Sequence, residues 1–154
     1  MPDSDFNAEE FLSSAVGGAM STETIQCPEG VYKAQLQPIG KDNFRRFTSG
    51  DATYTTFEPS WEILDDDVRT QLDRDRVFVR QSIFLDFDEN GALDTSKGKN
   101  VDLGRLRAAV GQNEDAEWSF SMLNDVLAQV RVKHQKDKNS DTMRARVTQV
   151  TALA

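Results

Sequence analysis

Two stretches near opposite ends of the chain, GVYKAQLQPI (30–39) and VLAQVRVKH (126–134), alternate apolar and polar residues. Strict alternation sends successive side chains to opposite faces, which is the mark of a half-buried strand. Tyr32, Ala34 and Leu36 face one way, and Lys33, Gln35 and Gln37 the other. In the later stretch Val126, Ala128, Val130 and Val132 oppose Gln129, Arg131 and Lys133. Three further stretches read as strands. FEPSWEIL (57–64) carries Pro59, which fits an edge or a bulge. RVFVRQSIFLDF (76–87) puts Val77, Val79, Ile83, Leu85 and Phe87 on one face, with Gln81 as a polar exception. TMRARVTQVTAL (142–153) sets Arg144 and Arg146 on one face.

Between these strands the pattern changes. VDLGRLRAAVGQN (101–113) has Leu103, Leu106 and Val110 on one helical stripe, with Asp102 as a cap and Gly111 as a stop. DDDVRTQLDRD (65–75) suits one or two helical turns, and EWSFSMLND (117–125) a short helix. Residues 40–56, GKDNFRRFTSGDATYTT, read as a long polar loop. At the N-terminus, residues 7–15 form a short helix capped by Asn7, with Phe6 and Phe11 placed as a hydrophobic staple. GGAMSTETIQ then reads as a linker, so an acidic arm over 1–27 precedes a domain over 28–154.

The order β-β-β-α-β-β is that of an OB-fold, a small five-stranded Greek-key barrel. The fold class is therefore mainly β with short helices, preceded by a helical and flexible arm. A small β-sandwich is the alternative.

Composition narrows the chemistry. The single Cys27 forms no internal disulfide, and one Cys with one His134 supplies no zinc site. A Cys27–His134 catalytic pair lacks any local signature. No apolar run reaches the ~20 residues of a membrane span. The acidic start, MPDSDFNAEEF, argues against a leader, and a reducing cytoplasm is the expected location. The net charge of −8 is unevenly spread. Residues 1–29 hold six acids and no base, whereas residues 126–154 hold six bases (Arg131, Lys133, Lys136, Lys138, Arg144, Arg146) and two acids. Such asymmetry signals an interaction tail or a nucleic-acid surface.

DFDENGALDTSK (86–97) matches the first half of an EF-hand loop, with Asp86, Asp88, Asn90, Gly91 and Leu93 in place. Lys97 stands where the bidentate Glu belongs, and a strand rather than a helix precedes the loop. The stretch reads as a tight turn leaving a strand, with Asn90-Gly91 at its tip. No metal or other cofactor is expected.

Two features point to a ligand. FRRFTSGDATYTTFEPSW (44–61) holds five of the thirteen aromatics, with Arg45 and Arg46 between Phe44 and Phe47. Aromatic faces stack on unpaired bases and cations track phosphates. Phe44, Phe47 and Tyr54 either do this or fold back over the barrel end; Phe57 and Trp61 read as core. The second feature is the basic face of the last two strands, a solvated surface in an ordinary soluble protein. In an OB-fold the aromatic-arginine loop is the first-second loop, and the 134–141 loop with Lys136 and Lys138, which joins those two strands, is the fourth-fifth loop; these two loops clamp single strands.

Together, GVYKAQLQPI, RQSIFLDF, KNVDLGRLRAAVGQN and VLAQVRVKHQKDKNSDTMRARVTQV resemble a group of phage-encoded single-stranded DNA-binding proteins from replication and recombination gene clusters. The likeness spans about residues 28–152 in order and spacing. It implies sequence-nonspecific binding of single-stranded DNA in the host cytoplasm. Backbone contacts would come from Lys33, Arg45, Arg46, Arg80, Arg131, Lys133, Lys136, Lys138, Arg144 and Arg146, and stacking from Phe44, Phe47 and Tyr54. Such proteins often end in an acidic tail. This chain ends in QVTALA, so recruitment of a replication or recombination partner would pass to the acidic N-terminal arm. A homo-oligomer is compatible with this reading. The alternative is a phage virion or assembly protein that joins neighbours through a small barrel and its arm. An enzyme ranks last: Asp65–Asp67, or Asp86 with Asp88, could hold Mg²⁺, but no nucleophile or base stands beside them.

Overall fold

The computed structural model describes residues 6–22, 25–137 and 142–153. The chain is mainly β, with three short helices and a closed five-stranded barrel. The barrel strands are β1 (Gly30–Leu36), β4 (Ser60–Ile63), β5 (Phe78–Arg80), β7 (Leu127–Lys136) and β8 (Met143–Thr151). Around the barrel they run β1-β4-β5-β8-β7, and β7 closes on β1. Every neighbouring pair is antiparallel except β5 and β8, which meet in parallel at Arg80 and Arg146.

Alternation fills the interior as the sequence requires. Ala34, Leu36, Trp61, Ile63, Ala128, Val130 and Val132 are wholly buried, with Val79, Val147 and Val150 nearly so. Each large apolar side chain so buried stabilises the fold by roughly 1.5–3 kcal/mol. Val147 and Val150 are three apart and both face inward. A bulge permits this: Arg131 pairs with Gln149 but Val132 pairs with Val147, which leaves Thr148 unopposed.

The 40–56 stretch is not a loop. It forms a hairpin of β2 (Phe44–Ser49) and β3 (Ala52–Phe57), joined by β6 (Ile83–Leu85) in a second sheet of order β2-β3-β6. Its run TYTT, three β-branched threonines and an aromatic, favours strand. Gly50, at φ +63°, makes the tight turn that an L residue would strain. The two sheets share chain. β3 runs into β4 across Glu58-Pro59, and β5 runs into β6 across Gln81-Ser82. Pairing continues through the bend, where the Gln81 amide donates to the Pro59 carbonyl at 3.0 Å. The polar Gln81 is also accounted for: its side-chain oxygen accepts from the buried Trp61 indole at 2.9 Å.

α1 (Ala8–Leu12) is capped by Asn7, whose side chain accepts from the Glu9 and Glu10 amides. The Phe6 and Phe11 rings lie 5.3 Å apart, as a staple requires, but no residue of α1 is buried. Gln26 bonds to the β8 backbone at Met143 and Ala145, and Cys27 is buried, so the packed body includes residues 26 and 27. α2 (Asp66–Leu72) is capped by Asp65 and buries Val68 and Leu72. α3 (Val101–Ala109) lies between β6 and β7 and buries Leu103 and Leu106. Its N-cap is Asn100, not Asp102, which instead pairs with Arg105 in the first turn. Gly111, at φ +75°, follows its end. The expected helix at 117–125 contracts to a 3₁₀ turn over Phe120–Leu123. Among the described residues no helix is long and apolar enough to cross a membrane.

Candidate nucleic-acid interface

The two bends preserve the parity of the strands, so one outer face runs unbroken from the hairpin onto the barrel. Along β5 and β6, Phe78, Arg80, Ser82 and Phe84 are exposed while Val79, Gln81, Ile83 and Leu85 are buried. Along β3 and β4 the same face carries Tyr54, Thr56, Glu58, Ser60 and Glu62. The register sets Thr56 beside Phe84, Ser60 beside Arg80, and Glu62 beside Phe78.

On the hairpin this face is aromatic. Phe47 and Tyr54 are cross-strand partners with rings 5.6 Å apart, and Phe84 stands 5.9 Å from Tyr54. Tyr54 and Phe84 are 41% and 54% exposed, far more than the barrel's core requires. The Arg45 guanidinium lies over the Phe47 ring at 5.1 Å. On the barrel, Phe78 is also largely exposed, with Arg76 over its ring at 4.8 Å.

Cations cross the barrel beside the aromatics. Arg80 on β5 opposes Arg146 on β8, which opposes Lys133 on β7. Like charges directly opposed on neighbouring strands are destabilising, so a row of three costs the fold something. Only Arg80 has a carboxylate, Glu58 at 3.5 Å. Lys133 and Arg146 have none within ion-pair reach among the described residues. Arg80 and Arg146 also line a cleft of about 280 Å³ between residues 25–27, β5 and the start of β8. Arg74 and Arg144 stand in the same cleft, Arg144 paired with Asp137 at 2.9 Å, and among the described residues no acid stands in its lining.

Two carboxylates hold the face in shape. Glu58 is nearly buried, accepts from the Thr56 hydroxyl at 2.8 Å, and lies 3.8 Å from Arg45 and 3.5 Å from Arg80. It thus ties the hairpin to the barrel. Glu62 accepts two hydrogen bonds from Arg76, at 2.8 and 3.2 Å. Those bonds, and then the charges of Arg76 and Arg69, hold its carboxyl below the usual carboxylate range against the opposing effect of burial.

Of the residues expected to meet DNA, Arg45, Phe47, Tyr54, Arg80, Lys133, Arg144 and Arg146 fall on or beside this face. Phe44 turns the other way and stacks on Phe57 at 5.2 Å and edge-on to Phe120 at 4.9 Å. It closes the packing beneath the hairpin. Arg46 shares the face of Phe44 by alternation and is exposed. Lys33 sits on β1 opposite Gln129, away from the row. Arg131 opposes Gln149 and bonds to its side chain. Lys136 opposes Met143 at the end of the β7–β8 hairpin, and Lys138 lies outside the described residues. Phe78, Phe84, Arg74 and Arg76 were not anticipated. The signal for the two phenylalanines was their parity: both sit on the polar-facing positions of the 76–87 strand.

The other groups considered from the sequence are placed by their local contacts. The His134 ring bonds to the Cys27 main-chain carbonyl at 2.8 Å, not to the thiol. Burial pushes that thiol up to about 11, a rise that Asp65 adds to and the Tyr32 hydroxyl opposes. In the 86–97 turn, Asp88 accepts from the Asn90 and Ala92 amides and Asp94 from the Ser96 amide and hydroxyl. Asn100 ties the turn's two ends together by donating to the Asp86 and Asp94 carbonyls. Its carboxylates thus serve the local backbone. Among the described residues, no three His, Cys, Asp or Glu side chains cluster to hold a metal. No family model matches the chain, and no curated protein matches it.

Proposed function

We propose that the chain is a sequence-nonspecific single-stranded DNA-binding module of the OB type. The observation that carries this reading is the outer face on which exposed Tyr54, Phe84 and Phe78, with the half-buried Phe47, adjoin the cation row Arg80–Arg146–Lys133. Stacking on such rings contributes about 1–3 kcal/mol per base and tolerates any sequence. The barrel order supports the OB assignment. Numbered within the barrel alone, the strands run first, second, third, fifth, fourth, with one parallel pair and a helix between third and fourth. The β2–β3 hairpin is then an elaborated first-second loop, and the connection from β7 to β8 takes the place of the fourth-fifth loop. The link to phage replication or recombination in the host cytoplasm rests on the sequence resemblance alone, as does recruitment of a replication partner by an acidic arm.

Fluorescence anisotropy of labelled oligo-dT of about 30 nucleotides tests the reading, since one OB fold spans ~4–16 nucleotides. Micromolar or tighter binding is expected, weakening with salt and preferring single strand over duplex. Absence of binding at low salt would sink it. Large assemblies of purified protein that ignore oligonucleotides would favour the virion or assembly reading instead.

A further inference from the structure

A second basic groove lies around the barrel from the aromatic face. Beyond the single Arg80–Arg146 pairing, the chain leaves β8 and continues as β6 in the second sheet, and α3 packs Leu103 and Leu106 into the gap. A groove of about 1130 Å³ remains between α3, the bend after β5, and the outer face of β7 and β8. Arg105, Arg131, Lys133 and Arg146 line it, against one acid, Asp102. Asp102 and Arg105 form an exposed pair at 3.4 Å, and such pairs contribute ~0–1 kcal/mol, so Arg105 exchanges partners at little cost. The Arg131 guanidinium donates to the Gln149 amide oxygen and that of Arg146 to the Ala145 carbonyl. Both partners are neutral, and among the described residues neither guanidinium has a carboxylate within ion-pair reach. Arg146 lines this groove and the cleft on the aromatic face alike, so the two adjoin there.

We infer that the α3–β8 groove is a second phosphate track, which takes the continuing backbone of a single strand that has already crossed the aromatic face. This rests on the DNA-binding reading above. It predicts that Arg105, which lines this groove and not the cleft beside Phe78, matters only when the strand is long enough to reach it.

The test compares oligo-dT of about 8 and about 20 nucleotides, which lie within and beyond the ~4–16 nucleotides of one OB fold. Arg105→Gln should weaken the longer oligonucleotide roughly three- to tenfold and leave the shorter unchanged. For the longer one the slope of log affinity against log salt should fall by about 0.7 for each phosphate that the variant no longer neutralises. Arg105→Lys, which keeps the charge, should retain most of the affinity. Thermal melts of each variant check folding. Equal effects on both lengths, no effect on either, or a loss in Arg105→Lys matching that in Arg105→Gln would each overturn the second track. Failure of the wild-type protein to bind either length would instead remove the DNA-binding reading beneath it.

Discussion

In the barrel, alternation sorts side chains cleanly: Ala34, Leu36, Trp61, Ile63 and the β7 valines inside, charges outside. In the hairpin sheet both faces are aromatic. Phe44 and Phe57 pack downward against Phe120, and that face alone suffices to seat the sheet on the body. Phe47, Tyr54 and Phe84 occupy the opposite face, where Tyr54 and Phe84 are largely in water. The barrel's apolar residues are explained by burial; those of the outer hairpin face are not. Exposed clustered aromatics beside cations are what a single-strand platform needs, and a core does not.

The sharpest way to break that contrast is to truncate one aromatic from each region. Trp61→Ala removes a wholly buried ring and orphans its bond to Gln81. It should destabilise the protein by about 3–5 kcal/mol in chemical denaturation. Tyr54→Ala and Phe84→Ala should each cost under about 1 kcal/mol of stability, yet weaken oligo-dT binding by about 1–3 kcal/mol. If Phe84→Ala proved as unstable as Trp61→Ala, the outer rings would be core after all and the contrast would vanish.

The same contrast explains what the sequence made legible. Period-two runs such as 126–134 announce a strand because burial on one side enforces the alternation, and α2 shows through the Val68–Leu72 spacing. The 40–56 hairpin was hidden because exposed aromatics and threonines blur its period, and because Phe44 and Phe47 lie on opposite faces. The bends at Pro59 and Gln81 merged four short strands into two apparent long ones. Composition placed Arg45, Phe47, Tyr54, Arg80 and Arg146 at the candidate face. It could not separate Phe44, which needs the register to Phe57, nor bring Phe84 beside Tyr54, which depends on the pairing of β3 with β6.

A smaller effect tests how the face is held rigid. Glu62 is nearly buried on the barrel's outer side and clamped by Arg76. Its carboxyl titrates lower in the folded protein than in the unfolded chain. The ionised form therefore stabilises the fold fully above the unfolded carboxylate range, near ~4.3, and this contribution is lost as pH falls through the lower folded value. Glu62→Gln should cost about 1–2 kcal/mol at neutral pH, and the gap to wild type should close below about pH 4. A constant gap at every pH would show that packing, not charge, holds this part of the barrel.

The smallest effect concerns where the barrel's order stops. α1 buries nothing, whereas Cys27 is buried against β1 and β8 and its carbonyl is bonded by His134. The thiolate is the reactive species, and with burial raising the thiol to about 11 only about one molecule in ten thousand carries it at neutral pH. Native protein should therefore resist a thiol reagent at pH 7 and react promptly once denatured. Rapid native labelling would mean that residues 26–27 open readily, and that the segment before β1 belongs with the exposed α1 helix and not with the barrel. Slow labelling that accelerates in step with global unfolding would set the boundary of the cooperative unit at Gln26.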